Sequence, residues 1–246
     1  MSRETGAVEE TSWWLEVNGR RVTGGTMKPD HARALGAGRL LTDGWIDSAR
    51  EILSLEVGLD PVGSILVQAR VLPERARDVE AEAEHRVRHG CGLLHFVACE
   101  PTVIRRSRTS ALPSLDVFPP LFRALFEAAE HASRVGGLHA AALTDGTTLL
   151  VSREDVSRHN AVDKVLGEAL LAGRDIEALG LLVTARVSGE MAQKAARARV
   201  AWVASRSIPT TLAVAIANIA RMPLIARAPT PDAVAMGGTA AVEHGH

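Results

Sequence analysis

The chain has 246 residues, 46% of them hydrophobic, so it can bury a large core as one domain or as one domain with a smaller appendage. Its 28 basic and 29 acidic residues nearly cancel, which argues against a nucleic-acid partner or an anionic membrane surface but allows a local basic pocket. Two cysteines give no disulfide framework, so we expect a reducing compartment, the cytoplasm.

From the hydropathy pattern we expect no association of this chain with a membrane. The first ten residues contain three glutamates and no apolar run, so we expect neither a secretory signal nor a membrane helix there. Later apolar runs are interrupted by Arg, Glu or Gly before they reach the length of a membrane span.

Residues 1–85 predict a small N-terminal α+β region. Alternating apolar residues over 13–17 indicate a strand, and the following Asn18-Gly19 is a strong hairpin signal. Residues 29–44 favour a helix, and we interpret its Gly36-Ala37-Gly38 as close packing rather than phosphate binding. The apolar face of this helix consists of Ala32, Leu35, Leu40 and Leu41.

Residues 86–117 are interpreted as a mobile loop and linker that carries a candidate nucleophile. Cys91 lies between Gly90 and Gly92 and follows two arginines and a histidine, and nearby positive charge favours the reactive thiolate. A lone cysteine is more often a small buried hydrophobe, but the glycines on both sides weaken that interpretation. Cys99 lies in an apolar run and is expected to be structural.

The pattern of apolar runs and turn residues over 118–246 predicts an α/β core with a disordered tail. A helix begins at Phe118, strands over 138–143 and 147–151 flank an Asp145-Gly146 turn, and a helix over 160–172 ends at Gly173. Strands over 179–184, 200–204 and 224–226 then alternate with helices from Ser188 and Thr210. This alternation implies parallel crossovers and a sheet covered on both faces.

The densest polar cluster, residues 152–164, falls between a predicted strand and the apolar face of the next helix. Such positions commonly hold anion and ligand sites in α/β proteins. The equally weighted alternative is that Asp155 or Asn160 merely caps the helix and the rest is solvated.

Other chemical templates do not match. The chain has no Walker loop, no Gly-x-Gly-x-x-Gly motif after a strand, no paired Cys-x-x-Cys units and no Gly-x-Ser-x-Gly elbow. We therefore expect no metal site. His139 follows Leu138 in an apolar strand and is expected to be a satisfied core histidine.

Five segments together resemble the signature of the FdhD family. The most specific is Arg-Glu-Asp-Val-Ser-Arg-His-Asn-Ala-Val-Asp-Lys at residues 153–164. The others are Gly-Gly-Leu-His-Ala-Ala-Ala-Leu at 136–143 and similar blocks at 35–46, 185–195 and 205–214, so the likeness spans most of the chain.

The resemblance implies an α/β fold: a cytidine-deaminase-like three-layer core without catalytic zinc, with a smaller N-terminal α+β part, forming a homodimer. It further implies a sulfurtransferase that accepts persulfide sulfur from a cysteine desulfurase and passes it to molybdenum bis(molybdopterin guanine dinucleotide), carried as bound cargo. The formate dehydrogenase apoenzyme then receives the sulfurated cofactor.

The resemblance also implies roles for individual residues. Cys91 would carry the persulfide, and arginines would hold pyrophosphate, whose geometry suits bidentate guanidinium contacts. The candidate cofactor-binding residues are Arg153, Asp155, Arg158, His159, Asn160, Asp163, Lys164, Arg186, Ser188, Arg227 and Thr230.

The chain departs from the family in its cysteine motif. The family reads Cys-Gly-x-Cys-Gly, whereas this chain reads Cys-Gly-Leu-Leu-His at residues 91–95. Two hypotheses follow, namely a sulfurtransferase that works with Cys91 alone or a non-catalytic chaperone that binds the molybdenum cofactor. A third, a zinc deaminase, is opposed by the missing His-x-Glu and Pro-Cys-x-x-Cys ligands.

Overall fold

The computed structural model describes residues 7–73, 112–129 and 136–238, which contain two β-sheets and five α-helices. The strands are β1 (Thr11–Val17), β2 (Arg20–Met27), β3 (Ile52–Leu59), β4 (Ile65–Val71), β5 (His139–Thr144), β6 (Leu149–Asp155), β7 (Gly180–Val183), β8 (Trp202–Ser205), β9 (Leu224–Ala226) and β10 (Val234–Ala235). The helices are α1 (Ala32–Thr42), α2 (Phe118–Ala128), α3 (Arg158–Leu171), α4 (Gly189–Arg197) and α5 (Thr211–Ala220). Among the described residues, no helix is long and apolar enough to span a membrane.

The N-terminal part is a four-stranded sheet of order β2-β1-β4-β3 with α1 packed on it. Asn18 and Gly19 both have positive φ angles and join β1 to β2, which confirms the predicted hairpin. The alternating residues Trp13, Leu15 and Val17 are buried on the helix side of the sheet.

The second sheet has the order β10-β9-β8-β7-β5-β6, and β7, β8 and β9 are parallel. Helices α4 and α5 connect them, as the alternation of strands and helices predicts. One face is covered by α3, α4 and α5, and the other by α2, where Phe118 meets Trp202 edge to face with ring centroids 5.4 Å apart. The α/β core therefore has three layers, as expected from the sequence.

In the β5–β6 hairpin, the second strand lies later in the sequence than the apolar pattern predicts. It runs over Leu149–Asp155 rather than 147–151, because residues 152–155 pair in antiparallel register with residues 139–142 of β5. Helix α3 accordingly begins at Arg158, with Ser157 in the N-cap position. The capping interpretation of Asp155 and Asn160 is therefore wrong.

The N-terminal part and the core meet where α1 crosses α3. A Cβ atom on Gly38 would lie 1.8 Å from the carbonyl oxygen of Asp163, and one on Gly167 would lie 1.9 Å from that of Ala34. This confirms the close packing expected for residues 36–38 of α1. The predicted domain limits stay a prediction, because most of residues 86–117 lie outside the described ranges.

Candidate functional site

A buried lysine in the middle of α3, Lys164, connects the N-terminal part to the core. The Lys164 ammonium lies 2.7 Å from a carboxylate oxygen of Asp155 and 2.6 Å from one of Asp30, and it donates to the Lys28 carbonyl oxygen at 3.1 Å. Lys164 and Asp155 are both fully buried. Their charges therefore balance inside the protein.

Asn160 extends this connection. Its side-chain amide donates to the Thr26 carbonyl oxygen at 2.8 Å and to Asp155 Oδ1 at 3.0 Å. The same Asp155 oxygen accepts from the Ser157 backbone N–H at 2.9 Å. Three of the predicted cofactor-binding residues, Asp155, Asn160 and Lys164, thus join the end of β2 to the start of α3.

A second buried cluster joins α1, α3 and α4. Both Asp163 oxygens accept from the Lys194 ammonium, at 2.9 and 2.8 Å, and Oδ1 also accepts from the Thr42 hydroxyl at 2.7 Å. Arg39 approaches Asp163 at 3.7 Å and pairs with Asp43 at 2.8 Å. Asp163 is fully buried, and burial lowers the pKa of Lys194.

His159 lies beside this cluster, with its side chain 19% exposed. Its Nε2 is 3.6 Å from a carboxylate oxygen of Glu190 in the first turn of α4. Burial, and then the positive charge of Lys194, lower the pKa of His159 to about 4. The imidazole is therefore uncharged at neutral pH.

The carboxyl edge of the second sheet is defined here by residues 184–188, 206–210 and 227–230 together with Arg158 and His159. Because β7, β8 and β9 are parallel, the three loops that follow them start from one edge. The start of β5 and the end of β6 reach the same edge through antiparallel pairing, and α3 begins there.

Hydrogen bonds hold these loops together. The Ser205 hydroxyl donates to the Ala185 carbonyl oxygen at 2.9 Å, and the Thr210 backbone N–H donates to the Val187 carbonyl oxygen at 3.0 Å. The Arg227 N–H donates to the Ser207 carbonyl oxygen at 3.3 Å. The backbones that carry the edge residues are thus fixed relative to one another.

The carboxyl edge carries positive charge that the described residues do not neutralise. Arg158, Arg186, Arg206 and Arg227 form no ion pair with any acidic group in residues 7–73, 112–129 or 136–238. Two buried atoms, Arg158 Nε and the hydroxyl oxygen of Ser188, have no hydrogen-bond partner within those ranges. The edge therefore offers cations and free hydrogen-bonding groups to an anion.

Helix N-termini add to this character. Ser157 and Ser188 occupy the N-cap positions of α3 and α4, but neither side chain makes a capping hydrogen bond. In contrast, the Thr210 hydroxyl caps α5 by accepting from the Ala213 N–H. Two helices thus begin at the carboxyl edge, and their N-cap hydroxyls make no hydrogen bond to the backbone of the helix.

The loop after β9 forms a tight turn. Arg227 has a φ angle of 51°, in the left-handed region, although it is not glycine. Its carbonyl oxygen accepts from both the backbone N–H and the hydroxyl of Thr230, at 2.9 and 3.0 Å. The two predicted site residues in this loop therefore form one unit at the carboxyl edge.

An open pocket of about 520 Å³ adjoins the edge, with Phe122 and Phe126 of α2 on one side and Pro229 on the other. The Arg206 guanidinium lies 5.6 Å from the centre of the Phe126 ring, a cation–π distance. Neither Arg206 nor Phe126 was among the predicted site residues. Arg206 could have been found, because it directly follows a strand that ends at this edge.

Arg153 lies apart from the carboxyl edge group. Its guanidinium pairs with both oxygens of Glu168, each at 2.5 Å, and it lines a separate pocket of about 150 Å³ with Lys28 and His31. The structure thus brings together Arg158, His159, Arg186, Ser188, Arg227 and Thr230, but does not place Arg153 with them.

His139, expected to be a core histidine, is instead half-buried at the start of β5. Burial and the charge of Arg158 lower its pKa. Cys91 lies outside the described residues, so its role stays a prediction. Within the described ranges, no group of three or more His, Cys, Asp or Glu residues could hold a metal ion.

Comparison with known proteins gives consistent matches. The model of the FdhD/NarQ family matches residues 8–235. A protein of Xanthomonas euvesicatoria named sulfur carrier protein FdhD is 34% identical over 214 residues, covering 84% of this chain and 74% of that protein. A protein of the same name from Streptomyces avermitilis is 34% identical over 236 residues, covering 89% and 82%.

A solved structure shares the fold. The crystal structure of a protein assigned as a formate dehydrogenase accessory protein, from Desulfotalea psychrophila, superposes with a TM-score of 0.71. The match covers 93% of this chain and 87% of that protein, with 22% sequence identity.

Proposed function

The chain belongs to the FdhD/NarQ family, and we propose that it is a sulfur carrier that serves the maturation of formate dehydrogenase. Relatives named sulfur carrier protein FdhD and a neighbour assigned as a formate dehydrogenase accessory protein support this role. In this proposal a cysteine desulfurase supplies the sulfur. The molybdenum bis(molybdopterin guanine dinucleotide) cofactor receives it as bound cargo, on its way to the formate dehydrogenase apoenzyme.

Cys91 is the proposed sulfur-carrying residue. Its thiolate attacks the terminal sulfur of the desulfurase persulfide, the sulfur–sulfur bond breaks, and the desulfurase leaves as a thiolate. Arg86, Arg88 and His89 precede Cys91, and their positive charge favours its thiolate. Because Leu94 stands where the family motif has its second cysteine, this step uses one thiol only.

The observation that carries the cargo-binding proposal is the unneutralised positive charge of the carboxyl edge. A guanine dinucleotide contains a pyrophosphate, and arginine binds phosphate oxygens in a bidentate manner. Arg158, Arg186, Arg206 and Arg227 gather there beside the N-termini of α3 and α4. We assign the pyrophosphate contacts to these arginines, with Ser188 and Thr230 as hydroxyl partners.

The pocket beside Phe126 suits the base of the same ligand. An aromatic ring, a proline and a guanidinium offer flat surfaces on which a purine can stack. The pocket adjoins the Arg227–Thr230 turn through Pro229, so a phosphate at the edge and a base in the pocket can belong to one nucleotide.

The buried residues receive a different role in this proposal. The polar groups of Asp155, Asn160, Asp163 and Lys164 make intramolecular bonds, and these bonds fix the start of α3. We therefore propose that they position Arg158 and His159 and do not touch the cargo themselves.

A second candidate function is a chaperone that binds the cofactor without transferring sulfur. The loss of the second cysteine and its glycine, replaced by Leu94 and His95, favours it. Both candidates require the carboxyl edge to bind the dinucleotide, and they differ only in whether Cys91 takes up sulfur.

Calorimetric titration with guanosine diphosphate, a fragment of the cofactor, tests the shared requirement. Arg186→Ala should weaken binding about tenfold or more, since a charge-assisted hydrogen bond contributes ~1.5–3 kcal/mol. Arg174→Ala is the matched control, because this exposed arginine lies between α3 and the start of β7, away from the carboxyl edge. An equal loss in both variants, or no binding by the unmodified chain, would contradict the proposal.

A further inference from the structure

Helices α3 and α4 face each other through two pairs of side chains. His159 and Asp163 are four residues apart on α3, and Glu190 and Lys194 are four residues apart on α4, so each set lies on one helix face. The inner pair is Asp163–Lys194 at 2.8 Å, and the outer pair is His159–Glu190 at 3.6 Å. The inner pair is buried, and the outer pair lies nearer the carboxyl edge.

The inner pair is anchored from a third helix. The Thr42 hydroxyl of α1 donates to Asp163 and accepts from Lys194, with both distances under 3 Å. The inner pair is thus held in place from α1, α3 and α4 at once. Both pairs therefore lie between the same two helices, and the inner pair is the one that α1 also holds.

We propose that Lys194, held by Asp163 and Thr42, is a positioning residue that keeps His159 at the carboxyl edge, opposite Glu190, as a hydrogen-bonding group for the ligand. This inference rests on the proposed function, because the dinucleotide is the ligand that His159 would meet there. The arginines then supply the constant positive charge, and His159 supplies a neutral contact.

The charges around His159 support this arrangement. Three cations and two anions surround it, so a protonated imidazole would add a fourth cation to a mostly buried site. Its position in the first turn of α3 also disfavours a positive charge, because the helix N-terminus is the positive end of the dipole. The groups that face it are Arg39 from α1, Arg158 and Asp163 from α3, and Glu190 and Lys194 from α4.

Removing the charge of Lys194 should change the titration of His159. Lys194 lowers the pKa of His159, whereas Asp163 raises it. Lys194→Met should therefore move the His159 pKa upward from about 4, toward its ordinary value. The double variant Asp163→Asn/Lys194→Met should give a smaller rise, because it also removes the carboxylate that favours the charged form.

The experiment is an NMR titration of the histidine ring nitrogens in the full chain, with His159→Gln used to assign the resonance. Arg199→Met is the matched control, since Arg199 lies just beyond α4 and pairs with Glu177 instead. We expect the pKa of His159 to rise in both Lys194 variants and to stay unchanged in the control. A His159 that titrates at its ordinary value in the unmodified chain, or is unmoved in both Lys194 variants, overturns the inference.

If Lys194→Met does not fold, the double variant still decides the question, because it leaves no unpaired buried charge. A second readout separates this inference from the proposed function. On acidification from about pH 8 to 5, the Lys194 variants should gain affinity for guanosine diphosphate relative to the unmodified chain, because His159 becomes protonated in the variants only. The protonation of the terminal phosphate of the nucleotide at about pH 6 lowers the affinity of all these proteins alike, so the comparison between them isolates His159. If the nucleotide binds to none of these proteins, the proposed function fails, while the NMR titration still tests the role of Lys194.

Discussion

The interior of the α1–α3–α4 junction and the carboxyl edge of the second sheet use the same residue types in opposite ways. In the junction, the Lys194 ammonium lies within 3 Å of the Asp163 carboxylate, and in the neighbouring buried cluster Lys164 lies equally close to Asp155. At the edge, four arginines form no ion pair with an acidic group among the described residues, namely Arg158, Arg186, Arg206 and Arg227. The first seven residues of α3 contribute to both regions, with Arg158 and His159 at the edge and the following polar residues inside. Polar density along a sequence therefore does not by itself identify a ligand site.

The two regions should respond differently to mutation. A buried charge that loses its partner keeps its desolvation cost, whereas an exposed arginine contributes little to folding. We therefore expect large stability effects in the junction and small ones at the edge, where the measurable loss is in ligand binding.

The largest effect is expected for Asp163→Ala, which leaves the Lys194 ammonium buried without its main partner. The free energy of unfolding should fall by ~3–5 kcal/mol, measured by urea denaturation. Asp163→Asn/Lys194→Met should recover part of this loss. A decrease below ~1 kcal/mol for the single variant would show that the junction does not depend on this pair.

The pH dependence of stability should be the next largest effect. The pKa of His159 is about 4 in the folded chain and ordinarily 6.5, so the unfolded chain binds more protons between these values. Stability must then fall as the pH drops from about 6.5 to 4, by up to ~3 kcal/mol from this residue. His159→Gln should remove that part of the slope in urea unfolding followed across this range. If the unfolding free energy changed with pH equally in the unmodified chain and in His159→Gln, this would contradict the burial of His159.

Gly38→Ala tests the helix crossing that supports the junction. Its new Cβ would overlap the Asp163 carbonyl oxygen, so α1 and α3 must move apart, at a cost of ~1–3 kcal/mol. Gly58→Ala is the control, because nothing lies within 4 Å of a Cβ built there. Thermal unfolding of the two variants should show a clear decrease in the melting temperature only for Gly38→Ala.

The smallest stability effect is expected at the edge. Arg227→Gly relieves a left-handed conformation and should raise the unfolding free energy by at most ~1 kcal/mol, while weakening the binding of guanosine diphosphate. Arg221→Gly is the matched control, because Arg221 has nearly the same φ angle of 52° but lies at the end of α5. Equal binding losses in both variants would place Arg227 outside the ligand site.

Local patterns were sufficient to predict most of the fold. Asn18-Gly19 forms the turn of the β1–β2 hairpin, and the alternation of strands and helices after residue 179 forms a parallel sheet. Both features could be predicted because each depends on residues that are close together in the sequence. The end of β6 was missed because residues 152–155 are polar and become a strand only by pairing with β5.

The site could be predicted in part. Arg186 and Arg227 were predicted from the resemblance to the family, and the structure places both in loops that follow parallel strands. The burial of Asp163 could not be predicted, because its partners Thr42 and Lys194 are 121 and 31 residues away in sequence. The contact of Arg206 with Phe126 likewise joins two elements that no local pattern connects.

The most direct test of the sulfur-carrier role is intact-protein mass spectrometry after incubation with a cysteine desulfurase and cysteine. The unmodified chain should gain one sulfur atom that reductant removes, and Cys91→Ala should gain none, while Cys99→Ala serves as the control and should still gain it. The absence of an adduct on the folded, unmodified chain would contradict the role of Cys91 and favour the cofactor-binding chaperone.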